Sequence, residues 1–120
     1  TSTSNEPVYR LAQRIPTLGI PNQIQGIVDL WDVTEDWIPV YDCSDLPGYY
    51  LAIGTSGNQF KTAPVVGVLM AELISACENG HNHDAEPLSL FMERTGNSIK
   101  LDFFSRNREL NNRSSFSVLA

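Results

Sequence analysis

Apolar and polar positions follow several rhythms along this chain, and each predicts an element. Val8, Leu11, Ala12 and Ile15 recur at helical spacing, predicting a helix over residues 6–15 that Pro16 and Gly19 close. From residue 24 to 33 the pattern becomes strand-like. Ile24, Gly26, Val28 and Leu30 share one parity and Ile27, Trp31 and Val33 partly fill the other, as in a strand covered on both faces. Residues 32–36 read as a turn into a short strand, 37–41. Pro39 restricts that strand to an edge or irregular position, because proline has no N–H for the ladder. Residues 42–48 read as a loop and 49–53 as the clearest strand. The clearest helix is 64–78, with an apolar stripe of Val66, Leu69, Met70, Leu73 and Cys77 and a stop at Gly80. Gly67 costs that helix about 1 kcal/mol relative to alanine, which a close approach by a strand or ligand would explain. Residues 81–86 read as a solvated polar loop, 88–92 as a short helix and 99–104 as a short strand. The resulting class is α/β or α+β.

Composition and charge narrow the choices. At 120 residues, with 42% hydrophobic and 18% charged residues, the chain amounts to one globular domain or a piece of one. A net charge of −6 argues against nucleic acid or an anionic membrane as the main partner. The longest apolar run, 63–76, is interrupted by Pro64, Gly67, Glu72 and Ser75, so no membrane span is expected. Residues 1–5 form a polar leader without a signal-like apolar segment, so the expected location is cytoplasmic and the chain is expected to be a piece of a longer one. Cys43 and Cys77 are too few and too far apart for a disulfide scaffold or zinc knuckle, and both are expected to be reduced. His81, His83, Asp84 and Glu86 lack a further well-spaced donor, so no metal site is expected. Asp32, Asp36, Asp42 and Asp45 flank turns, where carboxylates accept backbone N–H groups.

The most informative stretch runs from Tyr49 through the turn Gly54-Thr55-Ser56-Gly57-Asn58-Gln59-Phe60-Lys61 into the helix opened by Pro64. A strand, a glycine-bearing turn and a helix start present free N–H groups at the positive end of a helix dipole, which suits an anion or an electron-rich ring edge. This segment resembles the C-terminal flavin-contacting motif of the D-amino-acid oxidase, sarcosine oxidase and glycine oxidase superfamily. The stretch from Leu30 to Pro39 is similar to that family's Y-D-x-T-P-D-x-x-P motif, Asp45 to Tyr50 resembles its lead-in, and Phe104 to Glu109 with Ser114 to Ser117 resembles a tail of some members.

The resemblance implies the C-terminal segment, residues 6–120, of a two-domain FAD-dependent oxidoreductase that oxidises an amine or amino acid by hydride transfer to flavin. It places Gly54, Ser56, Gly57, Asn58, Gln59, Phe60 and Lys61 at the cofactor, and Lys61 and Trp31 at the substrate. Asn58-Gln59 departs from the His-Gly of several relatives, which bears on substrate class. Asp29 stands where some relatives carry a flavin-tethering cysteine, so FAD is expected to be noncovalent. A dinucleotide fingerprint, G-x-G-x-x-G, is missing, since no two glycines stand two residues apart. The remainder of the flavoprotein chain is therefore an expected partner, and the segment alone is expected to be inactive. The alternative is a noncatalytic small domain or subunit with an assembly or regulatory role.

Overall fold

A computed structural model describes residues 6–24, 26 and 29–113, which fall into two units, Thr1–Leu30 and Trp31–Ala120. In the first, α1 (Glu6–Arg14) forms where the helical spacing predicts it, with Glu6 and Arg10 paired one turn apart. Ile15 N–H still donates to Leu11 O at 2.9 Å, so the helix unwinds only as Pro16 approaches. The strand expected over 24–33 does not form among the described residues; positions 25, 27 and 28 lie outside them. Alternation describes which faces a strand would bury, but a strand needs a partner ladder, and none pairs with residues 29–33.

The second unit contains two antiparallel pairs. β1 (Val40–Cys43) pairs with β2 (Tyr50–Ile53), Val40 opposite Ile53 and Cys43 opposite Tyr50. β1 begins after Pro39 and runs through Asp42 and Cys43, three residues later than expected, because the ladder starts only where N–H groups are available. A 3-10 turn, Phe60–Thr62, leads into α2 (Ala63–Glu78), which packs on β1. Gly80, at φ +88°, ends α2 by donating to Cys77 O.

β3 (Ser89–Met92) and β4 (Asn97–Lys100) form a hairpin, and a second 3-10 turn, Leu101–Phe104, lies against β1. The short helix expected at 88–92 is thus a strand. Leu88, Leu90 and Met92 alternate with polar or exposed positions, and the four-residue turn closes with Thr95 and Gly96 N–H donating to Met92 O. The strand expected at 99–104 keeps only its first two residues before coiling.

Leu69, Leu73 and Leu101 form the core, with Val65, Met70, Cys77, Leu88, Leu90 and Ile99 packed around them. Among the described residues no neighbour lies within 4 Å of a notional Cβ at Gly67, so no approach by a strand explains that glycine. Phe60–Glu78, 19 residues with a mean hydropathy of 1.5, is long and apolar enough by length and composition to cross a membrane, despite the interruptions weighed above. Its Leu69 and Leu73 are nevertheless core residues of this unit. The architecture is mixed helix and sheet, and its antiparallel pairing fits the α+β alternative.

Candidate functional site

The turn between β2 and α2 is held from below by Asp32. The Asp32 carboxylate accepts the N–H of Gly54, the N–H of Thr55 at 3.1 Å and the Thr55 hydroxyl at 2.7 Å, while its carbonyl accepts Ser56 N–H at 3.0 Å. These donors, the Thr55 hydroxyl foremost, hold the Asp32 pKa below the usual carboxylate range. Gly54, Ser56 and Gly57 all take positive φ, +72°, +50° and +74°, which turns the chain sharply. The buried Ser56 hydroxyl donates to Gly54 O at 3.1 Å, supporting its own unusual backbone.

Beyond that bend the backbone is left open. The N–H groups of Gly57, Gln59 and Phe60 find no acceptor among the described residues. Gly57 to Phe60 line a cleft of about 370 Å³ whose walls are largely apolar, formed with Tyr41, Ala52, Thr55, Ala63 and Val66. The cleft gathers four of the expected site residues, Gly57, Asn58, Gln59 and Phe60. Gly54 and Ser56 are buried and shape the bend without lining it. Lys61 is exposed at the start of the helical segment and Trp31 is half-exposed; neither lines the cleft. Tyr41, hidden in a strand, belongs to the cleft although no sequence motif marks it.

Two charge networks are built on the buried Asp42 and Asp36. Asp42 accepts Cys43 N–H at 2.7 Å, Arg106 N–H at 2.8 Å, the Ser105 hydroxyl at 3.0 Å and the Arg106 guanidinium at 3.3 Å. Arg106 also grips Asp84 with two bonds of 2.8 Å and Asp45 at 2.7 Å. Asp36 receives Arg108 through bonds of 2.7 and 3.0 Å, and Ile38 N–H at 3.1 Å. Asp36 and Asp42 do accept backbone N–H groups as expected, but both are also buried and neutralised by Arg108 and Arg106.

His83 also departs from the solvated loop expected for 81–86, being 3% exposed. Its Nδ1 accepts Leu88 N–H at 3.2 Å, which places the proton on Nε2. Among the described residues Nε2 has no hydrogen-bond partner, and it lies 3.7 Å from Asp42 Oδ1. Burial lowers the His83 pKa against the opposing pull of Asp42. A depressed folded-state pKa means that the unfolded chain takes up the proton first, so stability is full above the ordinary histidine pKa of about 6.5 and declines as pH falls below it. Urea midpoints should therefore drop between neutral pH and pH about 5, and His83→Gln should flatten that slope. An unchanged slope in the variant would assign the dependence elsewhere.

Oxygen and sulfur atoms of Asp42, Cys43 and Asp84 lie within 4.8 Å of one another, a geometry that brings to mind a metal. Arg106 already binds both carboxylates, so a cation there would compete with a guanidinium. Cys43 and Cys77 are free thiols beside a second cleft of about 650 Å³. Burial, reinforced by Asp42, pushes the Cys43 thiol up to about 11, and burial raises Cys77 as well, so neither is a ready nucleophile at neutral pH. Comparisons with protein-family models, with curated proteins and with solved structures find no match to this chain.

Proposed function

We propose that this chain is the C-terminal part of an FAD-dependent oxidoreductase acting on a small amine or amino acid, with the turn from Gly54 to Lys61 meeting the edge of a noncovalent flavin. The observation that carries the reading is the open row of N–H groups at Gly57, Gln59 and Phe60 beside an apolar-walled cleft. Such donors suit a flat apolar ring with an electron-rich edge, and they stabilise the negative charge that the ring gains on accepting a hydride. Lys61, next in sequence and exposed, is available for a substrate carboxylate, and Trp31 for its apolar part. The pyrophosphate of FAD would be held by the remainder of the flavoprotein chain, the whole being a cytoplasmic protein without a membrane span or nucleic-acid partner.

The test is to express the full-length protein and examine its visible spectrum. Bound flavin, with Lys61→Met raising KM for an amino-acid substrate roughly 10- to 100-fold at little change in kcat, is the expected result. A colourless preparation that FAD does not reconstitute would sink the assignment and favour the noncatalytic alternative.

A further inference from the structure

We propose that Tyr41 and Thr62 lock the Gln59 side chain so that its amide N–H edge faces the cleft, and that this donor tunes the flavin bound there. The inference rests on the flavin reading of the cleft and adds a positioning role for two residues outside the turn's motif. Gln59 Oε1 lies 2.6 Å from the Thr62 hydroxyl and 3.2 Å from the Tyr41 hydroxyl. A separation of 2.6 Å is typical of O–H···O and short for N–H···O, so the carboxamide oxygen belongs at Thr62. The opposite end agrees, because Gln59 Nε2 then lies 3.4 Å from the Asn58 side-chain oxygen, which accepts.

The lock is anchored in the fold. Tyr41 is 3% exposed, in β1, with its ring 5.1 Å from that of Phe104. Thr62 Oγ1 also lies 2.9 Å from the Gln59 carbonyl, so its single proton is shared between two oxygens of the same residue. Nε2 carries two hydrogens, of which Asn58 takes at most one, and Gln59 and Asn58 both line the cleft. A ligand atom that meets the remaining Nε2 hydrogen would be an acceptor. A flavin edge fits, and a donor held in place favours the reduced, more negative ring over the oxidised one, raising its midpoint potential.

The experiment uses the full-length flavoprotein and reads midpoint potential and flavin reduction rate. Gln59→Leu is expected to keep the chromophore, lower the potential and slow reduction about tenfold. Gln59→Glu, which puts a negative charge at the same place, is expected to lower the potential further. Tyr41→Phe and Thr62→Val, which loosen the lock and leave the amide present, should fall between wild type and Gln59→Leu. Flavin bound at the wild-type potential in Gln59→Leu would overturn the inference and leave the flavin assignment standing. If Gln59→Leu releases its flavin, Tyr41→Phe decides: an unshifted potential overturns the lock. Absence of flavin from the wild type would instead overturn the reading of the cleft, and this inference with it.

Discussion

Replacing Asp36 with alanine should destabilise the unit Trp31–Ala120 by about 3–5 kcal/mol, because it strands the Arg108 guanidinium in the interior. The Asp36 and Arg108 side chains are only 2% and 10% exposed. The guanidinium also donates to Ile38 O at 2.7 Å and Ser105 O at 2.9 Å, so its position is fixed whether or not its counter-charge is present. Arg108→Ala should cost a similar amount by leaving the carboxylate unpaired. Asp36→Leu combined with Arg108→Leu should cost clearly less than the two losses added, since no lone charge remains. Urea unfolding of the four proteins measures this, and strict additivity would show that the pair is not coupled.

Acid should act on the same pair. The Arg108 hydrogen bonds hold the Asp36 pKa far below the usual carboxylate range. Its contribution is complete above the unfolded carboxylate pKa of about 3.9 and is lost as pH falls below that value, a window well beneath the one set by His83.

The second large effect is expected at Gly54. Its φ of +72° lies in the left-handed region, and a Cβ there would run into the Thr34 methyl group. Gly54→Ala should cost about 2–4 kcal/mol, combining left-handed backbone strain with overpacking. Thr34→Ser beside it removes the obstructing methyl and should recover the packing part, leaving the backbone part. A Gly54→Ala protein as stable as wild type would mean that the bend relaxes easily. Under the proposed flavin reading of the cleft, Gly54→Ala should also weaken flavin binding, since Gly54, at positive φ, opens the bend that leads to residues 57–60.

Local periodicity made part of this architecture legible. The helix of Leu69 and Leu73, the strand at Tyr50–Ile53 and the helix beginning at Glu6 all announce themselves through spacing and punctuation. The turn at Gly54 to Phe60 was legible too, because glycine and polar residues between strand and helix leave few other shapes. What escaped depends on distant partners. Asp42 looks like a loop residue, since aspartate is poor in strands, and becomes a strand residue only because Arg106 neutralises it from 64 positions away. His83 looks solvated until Asp42 and Leu88 are placed around it. Leu88, Leu90 and Met92 did carry a period of two, and the Thr95-Gly96 turn after them was a usable signal for a hairpin.

The two arginines of the C-terminal stretch also govern when this unit can assemble. Arg106 and Arg108 follow Asp45, Asp42 and Asp36 by 61, 64 and 72 positions. Closing loops of that size is entropically costly and comes late relative to local turns. On the ribosome, β1 and β2 would emerge early with their acidic residues still hydrated, and the sheet could be sealed only once both cations had left the exit tunnel. Vectorial synthesis would therefore delay closure of the unit until residues 106–108 arrive, with the carboxylates keeping the half-made sheet soluble in the meantime.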